Sequence, residues 1–256
     1  MKLVRVRASQ GAQWVRSGFR AFFRQPLGYS ALFALIGFAA LLLAQLPLIG
    51  PVAALATMPL ATLVFMQATR ELLAGRRVQP TLLLQPLRDA AQRRGLLQLG
   101  AVYAAATIGI VLLAHVADGG RFTAAAEAVA TQTATPEMMG DPMLEFGLLL
   151  RLLLLSLLSL LFWHTPALVC WHGMPVGKAL FASWVACWRN LGAFAVYGLA
   201  WMGVLIGFVL AMQMLFALIG LAQAAASVVV PAVMLVSTVF YASLYFVYAD
   251  SFELEQ

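Results

Sequence analysis

Charge is what this sequence has least of. Only 10% of its 256 residues are Asp, Glu, Lys or Arg, against about 25% in a typical water-soluble domain. With 63% hydrophobic residues, the chain has too little polar surface to coat a soluble globule of its size. Cysteine is scarce as well. Cys170 and Cys187 are the two present, both in or beside a segment assigned below to the reducing cytoplasmic side, so no disulfide framework is implied. There is no Walker loop, no dinucleotide-binding glycine pattern, no Ser/His/Asp set and no pair of buried carboxylates. That argues against an enzyme. His164, Cys170, His172 and Cys187 match no compact zinc spacing, so no metal or other cofactor is expected. The apolar runs carry no acids, which argues against a proton- or sodium-coupled transporter.

What the sequence has in abundance is long apolar runs, and its mean hydropathy is +0.91. Several runs reach the roughly 20 residues that a helix needs to cross about 30 Å of hydrocarbon. Six spans are drawn, over residues 27–46, 52–69, 96–116, 146–171, 191–214 and 227–248. All are expected to be helices, because a lone segment in lipid must satisfy its own backbone hydrogen bonds. The fold class is therefore an all-α integral membrane protein with six transmembrane helices in three hairpins. Six Lys or Arg fall within the first 26 residues, and a full-length span follows, so the first span reads as a retained anchor and not a cleaved signal.

Orientation follows from the distribution of Lys and Arg. Of the 16, all but Arg121 and Arg151 lie in the N-terminal segment 1–26, between spans two and three, or between spans four and five. The loop 117–145 instead carries Asp118, Glu127, Glu137, Asp141 and Glu145. The basic side is assigned to the cytoplasm of a bacterial inner membrane, with both termini there and an acidic tail at 249–256. The net charge of +6 then speaks for anionic lipid and not for nucleic acid.

Each hairpin, 27–69, 96–171 and 191–248, follows a short basic segment that reads as an amphipathic helix. In the first, Arg16, Arg20 and Arg24 share one face at i, i+4, i+8, and Trp14, Phe19, Phe22 and Phe23 lie away from it. Such a helix is expected to lie in the membrane interface. The second is drawn over 80–94 with Leu83, Leu84 and Leu87 against Arg88 and Arg93, and Arg94 beside them. The third, over 175–190, sets Leu180, Trp184 and Trp188 opposite Lys178, with Arg189 at its end. Arg16, Arg20, Arg24, Arg93, Arg94, Lys178 and Arg189 are the candidate lipid-headgroup contacts. The basic residue, leucine and glycine that recur where each hairpin begins fit either a triplicated unit or a common demand for Arg at headgroup level.

Few polar residues fall inside the spans. Arg151 lies one to two turns into span four and is expected to snorkel outward, with Glu145 or Glu127 as partner. His164 and Thr165 precede Pro166, where a freed backbone carbonyl needs a partner. His164, Thr165 and Arg151 form the candidate intramembrane polar site. Gly203, Gly207 and Ala211 on span five, and Ala101, Ala105 and Gly109 on span three, form small-residue stripes for helix packing, within one chain or across a homodimer. Tyr245 and Tyr248 read as interfacial anchors; the deeper Tyr241 is expected to hydrogen-bond to another helix.

The strings WVRSGFRAFFRQPLGYSALF, FWHTPALVCWHG, ALFASWVACWRNLGAFAVYGLAW and FYASLYFVYADSF together resemble a family of six-span inner-membrane proteins from betaproteobacteria whose activity is not established. The resemblance covers nearly the whole chain, least in the acidic loop. A weaker likeness extends to the membrane domain of some glycerophosphodiester phosphodiesterases, although their soluble catalytic barrel has no counterpart here. The resemblance implies fold and location and leaves function open. Two functions compete: a non-enzymatic protein that organises anionic lipid or a partner protein at the cytoplasmic face, and a transporter or channel-like component for a small or amphipathic solute.

Overall fold

The computed structural model describes residues 2–220 and 225–253, with side chains for all of these but 225–230 and Glu253. Residues 254–256, part of the acidic tail, lie outside the described residues, as does 221–224 before the last span. The protein is an all-α integral membrane protein. Among the described residues six helices are long and apolar enough to cross a bilayer: Pro26–Ala44, Gly50–Leu73, Ala90–Ala117, Pro142–His172, Leu191–Leu218 and Pro231–Ser251.

Local chemistry sets the boundaries. Helix α1 (Gln10–Arg24) ends where Gln25 leaves helical geometry, and Pro26 opens α2 (Pro26–Ala44) with its ring φ already suited to a helix start. An exposed turn with Leu48 at positive φ leads to α3 (Gly50–Ala56). Pro59 then restarts the span as α4 (Met58–Leu73). A 3-10 turn over Pro80–Leu84 and α5 (Gln85–Arg88) precede α6 (Ala90–Ala117), whose first turn is capped by Asp89 accepting from the Gln92 N–H at 2.8 Å. The acidic loop is not bare: it folds into α7 (Arg121–Ala130) and α8 (Pro136–Met139). Span four is broken into α9 (Pro142–Phe162) and α10 (Thr165–His172). Gly173, at φ +62° where a side chain would be strained, ends α10. The chain continues through α11 (Val176–Arg189), α12 (Leu191–Leu218) and α13 (Ala225–Ser251). Two-residue strands, β1 (Lys2–Leu3) and β2 (Phe252–Glu253), pair antiparallel and bring the N-terminal segment onto the end of α13.

Two of the expected amphipathic helices differ from their sequence readings. Residues 80–94 do not form one helix. Pro80 and Pro86 deny backbone donors, Asp89 is extended, and Arg93 and Arg94 belong to the first turn of α6. Leu82 is buried, and Leu83 and Leu87 line an apolar recess with Ile36, Leu43 and Leu60 of α2 and α4. Helix α1 does form, with its arginines exposed, but its apolar face is covered by protein and not by lipid. Trp14 and Phe22 are buried among residues of α12, α13 and α2, and only Phe23 stays largely exposed. Gly11 sits directly on the Ala193 carbonyl, and Gly18 sits on Ser243, with no room for a side chain at either.

The core is uneven. Its two apolar clusters meet at Leu60, Trp163, Phe240 and Tyr241, so α4 and α13 form the centre. Half of the apolar window of span six is buried inside the protein, against 11% for span one and 17% for span five. In α12 the buried residues are Ala193, Tyr197 and Trp201, all in its first half. Beyond them Met202, Leu205, Ile206, Leu210 and Met214 are exposed, and in an integral membrane protein that exposure is to lipid.

Candidate functional site

The basic end holds a groove between α1 and α4. Arg20 and Arg24 line it from one side with Ser17 and Ala21, and Leu72, Leu73 and Phe246 form its other side. One helix face thus sets two arginines beside Leu72, Leu73 and Phe246 around a groove of about 150 Å³. The i, i+4 spacing puts both arginines there, and the burial of Gly11, Trp14, Gly18 and Phe22 behind them fixes the helix. Arg16 is exposed on the same face but lies outside the groove. The other candidate headgroup contacts do not converge on it. Arg94 lines a separate recess with Asp89, Gln92 and Gln98, and Arg93 donates to the Leu87 carbonyl at 3.2 Å. Lys178 and Arg189 stand exposed on α11.

Hydrogen bonds hold α1 in place. Asp250 accepts from Gln10 Nε2 at 2.6 Å and from Trp14 Nε1 at 2.7 Å. Asn190, at the corner between α11 and α12, accepts from the Val6 N–H at 2.9 Å and donates to the Val4 carbonyl at 3.1 Å. Deeper, Tyr29 bonds the Thr69 hydroxyl at 2.9 Å, which donates to the Ala242 carbonyl at 3.0 Å, and Tyr197 meets Ser243 at 2.6 Å. Sequence reasoning passed over Ser183, Asn190 and Asp250. Asn190 sits at a helix corner and Asp250 near a helix end, positions that were the available signal; Ser183 lies mid-helix in α11 and gave none.

The break in span four is built from α11. With Pro166 in α10 the helical ladder cannot run through Trp163 and His164. Ser183 fills the gap: its hydroxyl accepts from the His164 N–H at 3.1 Å and donates to the Leu160 carbonyl at 2.9 Å. Cys187 Sγ adds a 3.5 Å contact to the same carbonyl; burial pushes its thiol up to about 12, so the S–H stays protonated. Thr165 donates to the Leu161 carbonyl at 2.6 Å, one residue before the Phe162 carbonyl that Pro166 leaves without its i+4 donor. The His164 ring does not help. It is fully buried among Phe194, Tyr248 and Phe252, and both its nitrogens lack partners among the described residues.

Arg151 does not snorkel, and neither Glu127 nor Glu145 is its partner. It is 7% exposed and bonds the fully buried Asp118 carboxylate at 2.5 Å, its guanidinium lying 4.4 Å from the Phe122 ring centroid. Gly147 provides the space for that pair. Asp118 also accepts from the Gly120 N–H at 2.9 Å and the Phe122 N–H at 3.4 Å. Burial opposes the Asp118 charge, but the Arg151 bond and these two N–H groups outweigh it and hold the carboxyl below its ordinary value. So His164 and Thr165 lie together at the break, while Arg151 belongs to a separate clamp of α6, α7 and α9.

The small-residue stripes are also relocated. Gly203, Gly207 and Gly109 have open space beside them, and Ala211, Ala101 and Ala105 are exposed. Close backbone approach occurs instead at Gly100, which sits on the Ala56 carbonyl. Tyr248 is not an interfacial anchor: it is buried and hydrogen-bonded to His172 Nε2 at 2.7 Å. Tyr241 stacks on Phe65 at 5.0 Å, and no hydrogen bond to it is present among the described residues.

Beside the break, a cleft of about 150 Å³ is walled by Thr62, Tyr103, Ser159, Trp163, Phe240 and Tyr241, among others. No three of His, Cys, Asp and Glu come together as a metal site among the described residues.

Six apolar spans around a buried α4–α13 centre, with arginines at one end and an acidic helical cap at the other, define a polytopic membrane protein. The chain is 32% identical over 260 residues to a probable inner membrane protein from Burkholderia thailandensis, covering 100% of this chain and 96% of that one. It belongs to that inner-membrane protein family. No protein-family profile and no solved structure matches it. The more distant likeness to phosphodiesterase membrane domains finds no support in these comparisons.

Proposed function

We propose that this protein is non-enzymatic and holds anionic phospholipid at the cytoplasmic face, in the groove between α1 and α4. The observation that carries the reading is the pairing of Arg20 and Arg24 with the floor of Leu72, Leu73 and Phe246. A phosphate takes the planar guanidinium fork with directed, charge-assisted hydrogen bonds. The apolar floor takes the first carbons of the acyl chains. Each basic residue near an anionic surface contributes about 1 kcal/mol, so two in one groove favour an anionic over a zwitterionic lipid by roughly tenfold or more.

The test uses nanodiscs of phosphatidylglycerol mixed with phosphatidylcholine. Native mass spectrometry of the purified full chain should retain phosphatidylglycerol preferentially, and Arg20→Gln with Arg24→Gln should abolish the preference. Equal retention of both lipids by the unaltered protein would sink the idea. The cytoplasmic assignment predicts that an alkaline phosphatase fused at the C-terminus is inactive; an active fusion would reverse it.

The second reading, a component that moves a small or amphipathic solute, is favoured by the cleft at Ser159. Its measure is solute flux into proteoliposomes that vanishes when Ser159 is replaced by Trp; flux unaltered by that change would count against it.

A further inference from the structure

We propose that the cleft beside the break in span four binds the carbonyl-bearing head of a neutral, membrane-soluble lipid. This inference is independent of the basic groove.

The cleft is bordered by four spans. Thr62 comes from α4, Tyr103 from α6, Ser159 from α9 and Tyr241 from α13, with Trp163 at the break. Five side chains bearing O–H or N–H groups therefore line a region where polar groups are costly, and of these Thr62 already donates to the Met58 carbonyl at 3.2 Å. Trp163 is the sharpest case. Its Nε1–H is buried without a partner among the described residues. Its ring is held edge-on against Phe194 at 5.3 Å and against Tyr197 and Phe240 at 6.0 Å each, so it cannot swing away to find one. A buried donor left unpaired costs about 1–3 kcal/mol; the atom is covered by its neighbours, so an acceptor entering the cleft pairs with it only as the wall beside Trp163 gives way.

The lining also states what the acceptor must be. It contains no Asp, Glu, Lys, Arg or His, so a charged ligand would be left without a counter-ion in a low-dielectric site. A neutral carbonyl oxygen matches donors from an indole and hydroxyls. Ser159 is exposed on the flank of α9, so the cleft opens sideways to the bilayer. A ligand reaches it from the lipid phase and leaves its hydrocarbon tail outside. Size agrees: an enclosed apolar cavity of about 150 Å³ accommodates one six-membered ring. The walls include Phe162, edge-on to Tyr103 at 5.0 Å, and Phe240, edge-on to Tyr241 at 5.8 Å. Two membrane molecules carry the required chemistry, a quinone ring and the ester carbonyl of a diacylglycerol.

The experiment titrates the delipidated full chain in detergent with decyl-ubiquinone in one arm and dioctanoylglycerol in the other, reading the fluorescence of the tryptophans. Trp163→Phe keeps the ring packing and removes the donor. Ser159→Trp fills the mouth from an exposed position and leaves the fold alone. Saturable binding in either arm, weakened about five- to tenfold by Trp163→Phe and abolished by Ser159→Trp, supports the site. The arm that responds identifies the source of the carbonyl. Absence of saturable binding in both arms, or binding indifferent to Ser159→Trp, overturns the proposal. Should Trp163→Phe lower the melting temperature, the Ser159→Trp result decides alone.

Discussion

At the basic end, α1, α11, the first turns of α12 and the last turns of α13 lock together through glycines, Ser183, Asn190 and Asp250. At the acidic end the same protein is held differently: the far part of α12 contributes no buried residue, and a buried ion pair, Arg151 with Asp118, ties α6 and α9 beneath α7. The contrast has a physical source. Water at a membrane surface drives apolar faces together, so helices such as α1 must cover theirs. Lipid exerts no such drive, and a leucine of α12 is as well solvated by acyl chains as by a neighbouring helix. Stability at one end is therefore spread over many contacts, and at the other it rests on few.

The largest effect expected is at Arg151. Arg151→Ala leaves Asp118 buried and uncompensated, at a cost of about 3 kcal/mol or more. The fall in the unfolding midpoint in detergent measures it, and a loss below about 1 kcal/mol would erase the contrast. Acid reaches the same clamp. Because Asp118 is held below its ordinary value, its contribution is fully present above the unfolded pKa of about 4 and is lost as pH falls through the lower folded value. Thermal stability of the native chain should therefore drop on acidification below roughly pH 4, and that part of the drop should be missing in Asp118→Asn.

At the basic end a single deletion is expected to cost less. Ser183→Ala leaves the His164 N–H unpaired and the Leu160 carbonyl with only the weak Cys187 Sγ contact, at about 2 kcal/mol. Amide exchange at His164 should speed up while exchange in α9 near Arg151 stays slow; a uniform increase would show that the two ends are not separable. The smallest effect is at Gly207, which has open space beside it. Gly207→Leu should change stability by no more than about 0.5 kcal/mol. A larger loss, or a shift in oligomeric state, would reveal a packing role for the stripe.

The six spans were legible because span length and hydropathy depend on single segments. So were the exposed arginine row of α1 and the disturbed helix at Pro166, each a matter of local spacing or of one missing donor. The partners were not legible. Arg151 has several acids within reach along the sequence, and which one it meets depends on how α7 folds back over α9. Gly11 and Gly18 sit seven residues apart on the face opposite the arginines, a sign of close packing that the aromatic residues around them obscured. The stripes on spans three and five meet no neighbour among the described residues of the chain, because a small-residue pattern gives permission for contact without supplying the partner helix. Ser183 was invisible as a cap because the broken ladder it repairs lies on another element.

The pairing of Lys2–Leu3 with Phe252–Glu253 has a further consequence. It makes a nearly closed loop of residues 2–253, with the two paired segments adjacent. Joining them by a short linker and reopening the backbone between α7 and α8 would relocate both ends to the opposite side of the bilayer and leave every span in place.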